Sequence, residues 1–89
     1  MAQVRFTAWL REYAPKGPVN AAGATVGEAL ASVFSEEPQL RGYVLDDQGR
    51  LRKHVCIFAD GERLKHDAAL GHRIGPSSQV YVMQALSGG

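Results

Sequence analysis

Thr25-Val26-Gly27-Glu28-Ala29-Leu30-Ala31-Ser32-Val33-Phe34 reads as the opening of an amphipathic helix. Val26, Ala29, Leu30, Val33 and Phe34 recur at helical spacing and make one apolar stripe, roughly two to three turns long. Thr25 stands three residues before Glu28, which is the pattern of a capping box: the threonine hydroxyl accepts from the Glu28 amide while the Glu28 carboxylate reaches back. Pro38 closes the helix, because a residue that precedes proline is pushed out of the helical region.

Strands flank this helix on both sides. Upstream, Val4, Phe6, Ala8 and Leu10 alternate with Arg5, Thr7 and Trp9, a period of two that predicts a strand with one buried face. Arg11 to Pro18 carries two prolines and a glycine and reads as a loop or turn, after which Val19 to Ala22 makes a short second strand. Downstream, Leu40 and Tyr43 are expected to cover an end of the core, and Asp46-Asp47-Gln48-Gly49 to turn the chain. Val55 to Ala59 predicts a third strand, and Asp60-Gly61 a two-residue hairpin into Arg63-Leu64. Ala68 to Ile74 fits a single helical turn. Gln79 to Ala85 predicts the last strand, with Val80 and Val82 on one side and Tyr81 and Met83 on the other. The expected architecture is α+β, a mixed sheet packed on one main helix.

Size and charge narrow the functions such a domain can carry. A chain of 89 residues forms one domain and buries roughly 60–65% of its unfolded surface, so it builds one small core. Little apolar sequence is left to line a catalytic cavity, which argues against an enzyme. A net charge of +1 supplies no field that would select nucleic acid or a membrane surface. The lone Cys56 cannot form an internal disulfide or a four-cysteine metal site. With no secretory pattern at Met1 to Arg5 and no apolar run of membrane-spanning length, the expected location is the reducing cytoplasm.

The chain ends Leu86-Ser87-Gly88-Gly89, a stretch without cap or periodicity that is expected to be a mobile tail, so that residues 1–85 form the domain and 86–89 follow it. At an average usage of roughly 7% glycine, two terminal glycines arise by chance about once in two hundred chains. The order of elements, the length, the Asp60-Gly61 hairpin and this Gly88-Gly89 ending together resemble the β-grasp sulfur carriers. These relatives of ubiquitin include the molybdopterin synthase small subunit and the thiamine sulfur carrier. Family members often carry a proline shortly before the ending, where this chain has Gln84-Ala85.

The resemblance implies that Gly89 is adenylated by a ubiquitin-activating-type enzyme, which uses ATP, and is then converted to a thiocarboxylate by a sulfur donor. Gly88, lacking a Cβ, lets the chain enter the narrow channel of that enzyme. The sulfur passes on to an acceptor enzyme, and the protein is a co-substrate, with no bound cofactor or metal. Residues Leu51 to Glu62 look more like carriers that serve cysteine or thio-metabolite biosynthesis than like the molybdopterin branch. Partners implied there are a pyridoxal-phosphate cysteine synthase and a zinc peptidase; in the other branch the partner is the molybdopterin synthase large subunit.

Two other readings stay open at this point. An activated Gly89 attacked by a lysine amine would make the chain a protein modifier. A plain β-grasp interaction module would not need Gly88-Gly89 at all. For partner binding, Phe58, Met83 and Tyr81 are candidates on the open sheet face with Trp9, and Leu86 and Ser87 fit a tail that docks extended. Cys56, inside a strand, is expected to be a buried structural residue. His54, His66 and His72 lack metal-ligand spacing, and the basic run Arg50, Arg52, Lys53, His54, with Arg41 upstream, reads as a solvated face, with guidance of an acidic partner to its dock as the second reading.

Overall fold

The computed structural model describes residues 1–6 and 17–84. Strand β1 covers Ala2–Phe6, β2 Val19–Ala21, helix α1 Val26–Glu36, the short helix α2 Arg41–Val44, β3 Val55–Ala59, β4 Glu62–Arg63 and β5 Gln79–Gln84. They form one five-stranded sheet in the order β2-β1-β5-β3-β4. The central pair, β1 and β5, is parallel, and the other pairings are antiparallel. Parallel neighbours cannot be joined by a tight hairpin. Everything between them, α1 included, is the crossover. This is the α+β arrangement expected from the sequence, a mixed sheet on one main helix.

The capping box forms much as the sequence predicts. Thr25 Oγ1 accepts from the Glu28 amide at 3.2 Å, and Glu28 Oε1 accepts from the amide of Ala24, one residue before the cap, at 2.8 Å. Val26, Ala29, Leu30, Val33 and Phe34 are buried along the helix. They share one core with Val4 and Phe6 of β1, Val55 and Ile57 of β3, and Val80 and Val82 of β5. Each aliphatic side chain so buried contributes about 1.5–3 kcal/mol.

Pro38 ends α1 but not the helical path of the chain. It opens a 3₁₀ turn, Pro38–Leu40, that runs directly into α2. Proline is compatible with the first turn of a helix, where its missing N–H has no intrahelical partner to lose. Leu40 and Val44, four apart, are both fully buried, while Tyr43 is half-buried against the core. Leu40 and Tyr43 therefore cover the core as expected, from a 3₁₀ turn and a short helix that the sequence pattern does not predict.

Two turns match their sequence signals. Gly49 N–H donates to the Asp46 carbonyl at 3.0 Å, and Asp46 Oδ1 accepts from the amides of Gln48 and Arg50 at 2.8 and 2.9 Å. Asp60 and Gly61 take φ of 50° and 86°, the positive values that a two-residue hairpin of type I′ demands. The last strand ends at Gln84 within the described residues. Thr7 to Leu10 of the expected first strand lie outside them, as do Ala85 and the whole Leu86-Ser87-Gly88-Gly89 ending.

Candidate functional site

Alternation along the strands sorts side chains onto two faces. On β3, Val55, Ile57 and Ala59 are buried, so Cys56 and Phe58 point away from the helix; on β5, Val80 and Val82 are buried, so Tyr81 and Met83 do the same. On β1, Arg5 lies between buried Val4 and Phe6 and joins them. Strand register then aligns these residues across the sheet. Arg5 is opposite Tyr81, Tyr81 opposite Phe58, and Phe58 opposite Arg63 of β4. The result is a row of two aromatic rings with an arginine at each end. Met83 and Cys56 form a second row beside it.

These side chains are half-buried, apart from exposed Arg63. They shield one another across the strands, as directly opposed side chains do at separations of about 4.5–5.5 Å. The Arg5 guanidinium carbon sits 5.8 Å from the Tyr81 ring centre, within the range of a cation–π contact. Arg5 Nε is buried and has no hydrogen-bond partner among the described residues. The face thus combines apolar and aromatic area with cationic ends, the composition of an interface centre and its rim.

Of the residues expected to bind partners, Phe58, Tyr81 and Met83 come together on this face. Trp9, Leu86, Ser87, Gly88 and Gly89 lie outside the described residues. β5 connects the face to the ending by chain continuity: Met83 is in the second row, and the strand's last residue, Gln84, pairs with Val55 at the start of β3. Cys56 departs from the buried structural role expected of it. It is half-buried on the open face opposite Met83, because the odd–even alternation of β3 gives its neighbours Val55 and Ile57 to the core.

Arg5 and Arg63 were not singled out from the sequence, although both were legible. Arg5 alternates with the apolar residues of β1, and a two-residue turn at Asp60-Gly61 necessarily sets Arg63 opposite Phe58. The basic run is less uniform than its composition suggests. Arg52 Nε donates to the Gly42 carbonyl at 2.7 Å and ties α2 to the approach to β3, while Arg50 faces Asp46 at 3.8 Å. His66 Nε2 is 2.9 Å from the Arg52 carbonyl. Among the described residues no group of three or more His, Cys, Asp or Glu side chains is placed to hold a metal ion, and no helix is long and apolar enough to cross a membrane.

The chain is 33% identical over 66 residues to small archaeal modifier protein 1 of Haloferax volcanii, a match that covers 74% of this chain and 71% of that protein. The chain belongs to the ubiquitin-like β-grasp family of small modifiers and sulfur carriers. The crystal structure of the Haloferax modifier superposes with a TM-score of 0.79 at 28% identity, covering 99% of this chain and 98% of that one. A further β-grasp neighbour, from the BexX/CysO complex of Amycolatopsis orientalis, gives a TM-score of 0.85 over the full length of both chains. At 20% identity that likeness speaks to the fold. No family model matches the sequence.

Proposed function

We propose that this β-grasp protein is a sulfur carrier whose reagent is the carboxylate of Gly89. In the first step a ubiquitin-activating-type partner joins that carboxylate to the α-phosphate of ATP, and pyrophosphate leaves. The terminal sulfur of a persulfide donor then attacks the acyl carbon and AMP leaves. A thiol cleaves the resulting acyl disulfide, which leaves a thiocarboxylate on Gly89 and a disulfide between thiol and donor. The carrier delivers this sulfur to a biosynthetic acceptor enzyme in the cytoplasm. Cysteine or another thio-metabolite is the favoured product, on the likeness of Leu51 to Glu62 to carriers of that branch, with a pyridoxal-phosphate synthase and a zinc peptidase as the matching partners.

The observation that carries this reading is a family member whose Gly88-Gly89 follows, after Ala85-Leu86-Ser87, the strand that bears Tyr81 and Met83. A partner docked on the Phe58–Tyr81–Met83 face holds the sheet end from which the terminal residues emerge. Binding energy spent on the fold is then used to deliver the terminal carboxylate. The Haloferax relative is named a modifier, which favours one second reading: the same activated Gly89 acylates a lysine amine of another protein, forming an isopeptide bond.

Intact mass of the protein purified from its host without reductive or acidic treatment tests the proposal. A species heavier by the difference between sulfur and oxygen, mapping to the Gly89 peptide, is expected. If none forms after incubation with ATP, a sulfur donor and the host's activating enzyme, the carrier reading fails. Isopeptide-linked peptides ending in Gly88-Gly89 on host lysines would establish the modifier instead.

A further inference from the structure

β4 is only two residues long and pairs with just Phe58 and Ala59 of β3. Leu64 N–H still donates to the Ile57 carbonyl at 2.9 Å, and beyond it the chain leaves the sheet. His66, 2.9 Å from the Arg52 carbonyl, anchors it on the far side. Between the departing segment and the approach to β3 lies a groove of about 490 Å³. Half-buried Leu64 gives it aliphatic surface, with the buried Leu51 and Val55 at its floor, and Lys53, Arg63 and Lys65 stand along it as exposed cations. No aspartate or glutamate contributes to the lining, and Glu62 and Asp67, the acids nearest in sequence, stay out of it. In a chain whose charges nearly balance, at 10 Lys and Arg against 9 Asp and Glu, this is a local segregation of positive charge.

We infer that this groove binds an acidic segment of a partner protein, with an aliphatic side chain packed against Leu64 over the floor of Leu51 and Val55, and flanking carboxylates on Lys53, Arg63 and Lys65. The volume lies within the range of about 300–1,000 Å³ that ligand sites occupy. The charge pattern selects an anionic occupant, and complementarity of this kind speeds encounter and rejects cationic competitors. Among the described residues that line it there is no phenylalanine, tyrosine or tryptophan, and His66 is the single ring on which a base could stack, so the groove suits a peptide better than a single-stranded nucleic acid. Arg63 belongs both to this groove and to the end of the aromatic row, so a partner on the open face reaches the groove by continuing past β4. The inference does not depend on the chemistry at Gly89.

The test uses the full chain and a fluorescein-labelled peptide with a Val-Leu pair between two Asp-Glu pairs, followed by fluorescence polarisation and amide chemical shifts. Saturable binding is expected, with shifts at Leu51, Val55, Leu64 and His66, and a loss of about fivefold or more in affinity for Lys53→Glu/Lys65→Glu. Both lysines are exposed, so the double variant is expected to keep its wild-type circular dichroism and melting temperature. A chain lacking Gly88-Gly89 should bind equally well, which separates failure here from failure of the carrier reading. The inference is overturned if nothing saturates up to about 1 mM, or if the double variant binds as tightly as the parent. Equal binding of a peptide with lysines in place of the acids, or of an oligothymidylate, overturns it as well.

Discussion

Phe58 and Tyr81 face each other across β3 and β5, on the side of the sheet away from α1, and the Arg5 guanidinium lies 5.8 Å from the centre of the Tyr81 ring. Both rings are half-buried, so the fold does not need them as it needs Ile57 or Val82 on the opposite face, each fully buried. Phe58→Ala and Tyr81→Ala should each cost about 1 kcal/mol in denaturant unfolding, with a coupling of about 0.5–1 kcal/mol in the double-mutant cycle. Under the proposed carrier function, activation by the adenylating enzyme should suffer more. Its apparent KM for the variant chain should rise about tenfold or more if these rings are interface anchors. An unchanged KM would remove this face from the docking surface.

Asp60 holds the β3–β4 turn to the start of β5. Its amide donates to the Gln79 carbonyl at 2.9 Å and its Oδ1 accepts from the Gln79 amide at 2.8 Å, all at a φ of 50°. Asp60→Ala loses the side-chain bond and suits the positive φ less well, so a loss of about 1–2 kcal/mol is expected. Asp60→Asn keeps an acceptor and tolerates that backbone, and should stay within about 0.5 kcal/mol of the parent. Equal stabilities for the two variants in urea melts would contradict this account.

Gly23 precedes α1 at a φ of +149°, and a Cβ there would sit 2.7 Å from the Ala29 amide nitrogen and from Glu28 Cβ. Those atoms belong to the first turn of the helix and cannot retreat without disturbing the cap. Gly23→Ala should therefore destabilise by about 2 kcal/mol or more. Gly42→Ala, with open space around the added carbon, is the matched control and should leave thermal unfolding nearly unchanged.

The Asp46 carboxyl titrates below its ordinary value of 3.8, chiefly because its oxygen accepts from the Arg50 amide, with the Gln48 amide and the charges of Arg50 and Arg52 acting in the same direction and desolvation opposing them. The folded state thus favours the ionised form. Its contribution is fully present above 3.8, and it is lost as pH falls through the lowered folded value. The stability gap between the parent and Asp46→Ala should be widest near neutral pH and narrow on acidification. A gap that widens in acid, measured by urea unfolding at several pH values, would refute the assignment.

Local rules made much of this protein readable from its sequence. The cap at Thr25, the apolar stripe of α1 and the Asp60-Gly61 hairpin rest on interactions within a few residues of one another, so spacing alone revealed them. The two-residue period separated Phe58, Tyr81 and Met83 from their neighbours on β3 and β5, and burial of Val55, Ile57, Val80 and Val82 in the fold decided that theirs is the face away from α1. The Gly88-Gly89 ending is read from the sequence, the chemistry proposed for it rests on resemblance, and the described structure, which stops at Gln84, adds only the strand that leads to them.

Tertiary structure decided what depends on distant partners. That Tyr81 stands between Arg5 and Phe58 is a consequence of the β1–β5 and β3–β5 registers, and no local pattern states which strands become neighbours. The helical course of Arg41–Val44 was missed because two buried residues four apart are too short a stripe to show periodicity; burial of Leu40 and Val44 against the core is what supports it. The basic run that contains Lys53 was legible, but the groove that joins Lys53 to Arg63 and Lys65 was not, for the same reason. Its cations come from segments on either side of the β3–β4 hairpin, and only the early end of β4 opens the space between them.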